Sequence, residues 1–416
     1  MNRKERRANG TAQPIGSQSP DRNASLFQVG FDHHRNGRLA EAQRVYSQAL
    51  AIEPEHSDAM HMLGVIALQV GRADAAADLI GRAAAISPTN AIAQFNLGNA
   101  LATLGRFDAA LVAYDAAIRL KRDYVEALSN RAHVLNCLGR PAEAVQSCDA
   151  ALRRDARHID AYTNRGNALR DLGRLPEAVA AYQVVLRARP GDADAHYNLG
   201  NALMEAGRFA DAAVSLTEAV RLQPDFADAH NNRGVVLREL GRFMEALMAS
   251  EKAIALRPEF TEAHFRRGIV LGDLGRTQDA LAAFDTAIAL NPRFAEAHSN
   301  RGNTLRDLQR DDEAFESYST AISLNPDFAV ARSNLGSVLR DLGRYEEALA
   351  QFDQAIAIMP LFDIAHYNRG VVLSDLARDA EAIESFDRTL ALKPDYPQAQ
   401  SRRDALLTAC ERAAEA

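Results

Sequence analysis

Alanine recurs every 34 residues from Ala42 to Ala382, and arginine does the same from Arg38 to Arg378. Counted from Asn23 as position 1, this makes eleven units in register with no insertion, the arginine at position 16 and the alanine at position 20. A period of this length marks a stacked array, in which each supersecondary unit buries its apolar face against its neighbours. Position 8 is glycine in ten units, with Ala132 the exception, and position 32 is proline in nine, with Arg122 and Ala156 the exceptions.

The spacing within a unit predicts two helices. Positions 1 to 14 carry apolar residues at helical intervals, as at Leu199, Ala202, Leu203 and Ala206, and glycine at position 15 is the expected left-handed stop. A second amphipathic helix then runs to about position 30, where proline ends it and starts the next turn. Glycine at position 8 and alanine at position 20 let the paired helices approach closely. Position 24 stays bulky, as at Tyr46, Tyr114, Tyr182, Phe284, Tyr318, Phe352 and Phe386. Nineteen of the 24 glycines sit at positions 8 and 15, so glycine here ends and packs helices and cradles no phosphate.

Glycine at position 8, alanine at 20, an aromatic at 24, alanine at 27 and proline at 32 together resemble the tetratricopeptide repeat over residues 23–396. The resemblance implies an all-α solenoid: eleven helix hairpins stacked into a right-handed superhelix, whose first helices line a concave groove. The family's usual tryptophan at position 4 is absent; histidine stands there most often, at His196, His230, His264, His298 and His366. Residues 1–22 are expected to form a disordered basic tail, and residues 397–416 a polar capping helix, because Arg402, Arg403 and Asp404 replace the Asn-Leu-Gly of the pattern.

Composition narrows the function classes. With 47% hydrophobic and 25% charged residues the chain is globular. It has no apolar run of the roughly 18 to 20 residues that spans a bilayer and no apolar leader, so a cytoplasmic protein without membrane insertion is expected. The net charge is −7, but the first 22 residues contribute +3, leaving about −10 for the body, which argues against nucleic acid as a partner. Abundant arginine and alanine point to a GC-rich bacterial source. Cys137, Cys148 and Cys410 lack metal-ligand spacing and read as packing residues. The position-4 histidines recur one per repeat, about 10 Å apart, too far to share an ion; they are expected to fill the tryptophan site. Arginine at position 16 reads as favourable charge at a helix C-terminus, and arginine at position 7, as at Arg165 and Arg301, as a partner for carboxylates across repeats. No nucleotide-binding or nucleophile motif appears, so no enzyme activity and no cofactor is expected.

One polar stripe remains. Asparagine occupies position 6 at Asn96, Asn130, Asn164, Asn198, Asn232, Asn300, Asn334 and Asn368, interrupted by Gln28, Met62 and Arg266. Position 9 repeats the choice at Asn99, Asn167, Asn201 and Asn303. Position 2 is acidic at Asp160, Asp194 and Asp228 among others, and position 13 is acidic from Asp171 to Asp375. Steps of four, three and four put positions 2, 6, 9 and 13 on one helix face. Asparagine is a poor helix former, so this stripe needs a reason. A carboxamide both donates and accepts. Stacked rungs about 10 Å apart would meet about every third residue of an extended peptide, with the carboxylates selecting hydroxyl-bearing or basic side chains. Two other readings stay open: a bond from asparagine to the neighbouring repeat that fixes the pitch, and exposed positions copied by duplication. As a groove, the stripe is most continuous between Asn96 and Asn232, with a shorter run from Asn300 to Asn368.

Asparagine at position 6 with an acid four before it, as in "DADAHYNLGNAL" and "DFADAHNNRGVVL", resembles the repeat region of O-linked N-acetylglucosamine transferases and the related Spindly-type proteins. The resemblance implies that the eight asparagines hold a substrate main chain and that Asp194 and Asp228, most directly, tune its selection; Asp160 joins them by its place in the stripe. In that family a catalytic sugar-nucleotide domain follows the repeats, and none is expected here. The sequence thus predicts a non-catalytic scaffold for protein or peptide partners, or alternatively the substrate-recognition half of a glycosyltransferase system with a separate catalytic partner.

Overall fold

The computed structural model describes residues 19–415, with side chains from 23 to 412. Of the expected tail, residues 1–18 lie outside the described residues, and Ser19 to Arg22 already belong to the first helix, Ser19–Arg35. All regular structure among the described residues is α-helical. Each repeat holds an A helix and a B helix, as in Ile159–Asp171 and Leu175–Ala188 of repeat 5.

The chain forms two compact units, Met1–Ala206 and Gly207–Ala416. Within each, every helix packs on those before and after it, and successive A helices also meet one another along the row. This makes the A-helix face the inner face of each unit. In the second unit the terminal helix Pro397–Glu415 covers the last hairpin: Ala399 is fully buried and Leu406 packs beside the cluster of Leu373 and Phe386.

Close packing explains the invariant small residues. Ala178 and its equivalents Ala144 and Ala348 are wholly buried. A Cβ on Gly166 would stand 2.6 Å from the Tyr182 ring, and one on Gly268 the same distance from Phe284. Repeat 4 tolerates Ala132 because its partner at position 24 is Cys148, smaller than an aromatic ring; both are fully buried. Cys148 therefore packs as expected, whereas Cys137 and Cys410 are exposed, one in the last turn of an A helix and the other far along the terminal helix.

The turn between A and B helices needs a left-handed residue. Gly173 has φ +70°, and there its N–H bonds the Arg170 carbonyl at 2.8 Å while Arg174 N–H reaches Leu169 at 2.8 Å. Gln309 and Ala377 hold the same conformation, at φ 60° and 56°, without glycine's freedom. Arginine at position 16 departs from its sequence reading. It stands at the N-cap of the B helix, and its guanidinium forks onto the acid three residues on, as in Arg174–Glu177 at 2.7 Å and Arg242–Glu245 at 2.7 Å. A carboxylate in the first turn of a helix faces its positive end, and the arginine is drawn to that carboxylate rather than back to the preceding carbonyls. The Arg174 hydrogen bond holds Glu177 below the usual carboxylate range.

Candidate functional site

The polar stripe lies on the A-helix face, and all eight position-6 asparagines are half-buried there. Their hydrogen bonds divide them. Asn130 Nδ2 donates to Asn99 Oδ1 at 2.9 Å, and Asn334 Nδ2 to Asn303 Oδ1 at 2.9 Å. Asn164 Nδ2 donates to the Ser129 carbonyl at 3.0 Å, Asn368 Nδ2 to Ser337 Oγ at 3.4 Å, and Asn96 Nδ2 meets His61 Nε2 at 2.9 Å. In all five the partner belongs to the preceding repeat. Burial lowers the His61 pKa, which favours the neutral ring that can accept this bond. Asn300 Nδ2 instead bonds the Glu296 carbonyl of its own helix at 2.9 Å, and Asn232 accepts from Asn231 Nδ2 at 3.2 Å. Asn198 bonds none of the described residues.

The position-9 asparagines have a second task. Tyr114, Tyr182 and Tyr318, buried at position 24, donate their hydroxyls to Asn99, Asn167 and Asn303 at 2.7, 2.7 and 2.6 Å. Asn99 and Asn303 thus each accept from a tyrosine of their own repeat and from the next rung. Single residues did not reveal this bond, but a pairing in the sequence carries its signal: Phe284, Phe352 and Phe386, which have no hydroxyl, face repeats with Ile269, Ser337 and Val371 at position 9.

The acidic positions also divide. Asp160 is paired with Arg189 at 2.9 Å and Asp228 with Arg257 at 2.7 Å, each within its own repeat. Asp194 has no cationic partner among the described residues, because the equivalent position holds Gln223. At position 13, Glu205 faces Arg170 at 3.8 Å and Asp341 faces Arg306 at 3.4 Å. Arginine at position 7 pairs across repeats as expected: Arg165 with Asp149 at 2.7 Å, Arg301 with Asp285 at 2.6 Å.

The position-4 histidines do more than fill space. Nε2 of His196, His230, His264, His298 and His366 lies 2.9 to 3.1 Å from the carbonyl oxygen of the proline six residues earlier. A carbonyl only accepts, so Nε2 carries the proton and the ring clamps the A helix to the turn before it. No group of three or more His, Cys, Asp or Glu side chains is placed to hold a metal ion among the described residues.

In the first unit the structure brings predicted site residues together around one cavity of about 290 Å³, lined by Asp160, Thr163, Asn164, Asp192, Asp194 and Asn198 together with Arg189 and Ala195. Asp192 is held there as an N-cap, accepting from Ala195 N–H at 2.9 Å. The cavity therefore presents one unused carboxamide, a second whose amino group is already engaged, and one carboxylate without a counter-ion.

A Tetratricopeptide repeat family model matches residues 32–91, 87–125, 95–159, 197–260 and 265–329, over half of the chain, and a second of the same description matches 317–350. A TPR repeat model matches 166–207 and 336–376. No curated protein matches the chain. Among solved structures it is similar to one described as the APC/C hetero-tetramer Cut9-Hcn1, with a TM-score of 0.52 and 14% identity over 93% of this chain and 96% of that one. It is also similar to yeast Tom70, with a TM-score of 0.48 and 14% identity over 95% and 97%. A third, YrrB, described as a TPR protein with an unusual peptide-binding site, has a TM-score of 0.40 and 24% identity over 46% and 99%. The first of these carries the fold alone, an all-α repeat array. No helix among the described residues is long and apolar enough to cross a membrane.

Proposed function

The chain belongs to the tetratricopeptide-repeat family, and from that premise we propose that it is a non-catalytic scaffold that holds an extended segment of a partner protein on its A-helix face. The observation that supports this reading is the cavity where Asn164, Asn198 and Asp194 converge. Asn198 can donate to and accept from a passing main chain, Asn164 keeps its carbonyl oxygen for a peptide N–H, and Asp194 meets a basic or hydroxyl-bearing side chain. The other asparagines act mainly between repeats, which spaces these rungs. Because one fold serves many partners, the site and not the fold must identify the client.

The test is capture of partners from cell extract by the intact chain and by Asn198→Ala/Asp194→Ala, compared by mass spectrometry once both show the same helical circular dichroism. The captured set is expected to fall away with the variant. An unchanged set would end this reading and place the partner surface elsewhere. A second reading, the substrate-recognition part of a glycosyltransferase system, rests on the recurring asparagine with an acid four residues before it. It requires a sugar-transferring enzyme among the proteins lost with the variant.

A further inference from the structure

We infer that repeats 10 and 11 carry a separate docking surface, for an extended segment of another protein with two aliphatic side chains about three residues apart and Lys or Arg beside them. The surface lies within the second unit and does not rest on the cavity of the first. Val330, Met359, Leu361 and Ile364 are 41%, 40%, 70% and 48% exposed. Single exposed aliphatic side chains are ordinary, but these four occupy places that the array otherwise keeps polar. Position 31 is polar or charged in every repeat but the tenth, where it is Met359, and position 33 is polar, charged or glycine except at Leu361. Position 2 is acidic from repeat 4 to repeat 9, then turns aliphatic at Val330 and Ile364. Ion pairs elsewhere show that these places adjoin. Asp160 at position 2 meets Arg189 at position 31 at 2.9 Å, and Asp228 meets Arg257 at 2.7 Å; repeat 10 puts Val330 and Met359 there instead. Leu361 stands three residues before Ile364, across the turn that opens the A helix Asp363–Asp375. Val330 and Ile364 are one repeat apart, about 8 to 10 Å, the span of about three residues of an extended strand.

The charge around the patch decides what covers it. Positions 1, 2, 31 and 33 of repeats 9 to 11 carry Glu296, Asp327, Asp363 and Asp395 against Lys393, a formal −3, and counting Arg293 at the turn before Glu296 leaves −2. None of the four acids has a cationic partner among the described residues. Lys393 lies 5.3 Å from the centre of the Tyr396 ring, and Arg332 is engaged by the Pro326 carbonyl at 2.9 Å and by Gln354. A second copy docked about a two-fold axis would set these acids against themselves, and like charges across an interface oppose binding. A segment with Lys or Arg beside its aliphatic residues supplies the missing counter-charge.

The probe is a labelled peptide, Lys-Gly-Leu-Ser-Thr-Leu-Gly-Lys, titrated into the full chain. Leu361→Ser/Ile364→Ser, both exposed changes, should weaken its binding at least about tenfold through lost apolar burial. Val330→Asp/Met359→Arg installs the ion pair that repeats 5 and 7 already hold, and should weaken binding as much while leaving thermal unfolding unchanged. Glutamate in place of both peptide lysines should weaken binding to the wild type at least about tenfold, a difference that salt reduces. No saturable binding below about 1 mM, indifference to both patch variants, or equal binding of the glutamate peptide overturns the inference. A wild-type dimer in sedimentation that Leu361→Ser/Ile364→Ser dissolves would assign the patch to a second copy and overturn it too. If Asn198→Ala/Asp194→Ala abolishes binding and the patch variants do not, the peptide sits in the first unit, and this surface falls while the cavity reading stands.

Discussion

Repeats 5 and 1 bury the same tyrosine at position 24 against the same glycine at position 8, yet among the described residues only one of the two hydroxyls has a partner. Tyr182 donates to Asn167 at 2.7 Å. Tyr46 is equally inaccessible, with a relative exposure of 0%, and its oxygen meets no acceptor among the described residues, because position 9 of repeat 1 is Phe31. Its ring packs on Phe27, with centroids 5.6 Å apart. The contrast shows what asparagine at position 9 does: it compensates a buried hydroxyl that packing alone would strand. Burial, aided by Asp32, pushes the Tyr46 hydroxyl up to about 12, and burial raises Tyr182 in the same direction.

The largest expected effect tests the packing that both repeats share. Gly166→Ala pushes a methyl to within 2.6 Å of the Tyr182 ring and should cost about 1 to 3 kcal/mol in urea unfolding. Combined with Tyr182→Cys, on the pattern of Ala132 and Cys148, it should cost less than the sum of the single changes. Simple additivity would break the packing account.

Next comes the bond that distinguishes the repeats. Asn167→Val strands the Tyr182 hydroxyl and should cost about 1 to 3 kcal/mol. The double variant Asn167→Val/Tyr182→Phe should regain most of that, reproducing the pairing already present at Val371 and Phe386. If it stays as unstable as the single variant, the asparagine serves something else.

A smaller effect separates rungs that hold the stack from the rung that is free. Asn130→Ala removes the bond to Asn99 and should cost about 1 kcal/mol, whereas Asn198→Ala should fall within about 0.5 kcal/mol of wild type. Equal losses in thermal unfolding would erase the distinction on which the proposed site depends.

The smallest effect returns to repeat 1. Tyr182→Phe should lose about 1 kcal/mol, while Tyr46→Phe, which removes an uncompensated hydroxyl, should lose nothing or gain slightly. The pH dependence has a definite sign. A hydroxyl whose folded value lies near 12, above an unfolded 10, contributes stability that is complete below pH 10 and is lost as pH rises toward 12. The advantage of Tyr46→Phe should therefore widen across that window in alkaline unfolding curves.

Much of the molecule is determined by the amino-acid sequence alone, because its causes are local. Glycine at position 15 ends one helix, proline at position 32 ends the other, and a small residue at position 8 faces a large one at position 24 in nine repeats, the exceptions being Ser250 opposite Gly234 and Cys148 opposite Ala132. These are choices among neighbours a few residues apart, so they show as a period. The arginine at position 16 was misread because it lies between two helices, and its charge suits either the end of the first or the acid in the start of the second. What the tertiary structure decided is the partner of each polar atom. Asn130 and Asn198 hold the same place in the repeat and the same chemistry, yet one bonds across 31 residues of sequence and the other opens on a cavity. Asp160 and Asp194 differ only in whether position 31 supplies an arginine. A carboxamide or carboxylate is completed by whichever partner its own or the preceding repeat brings within about 3 Å, and that depends on how the helices stack.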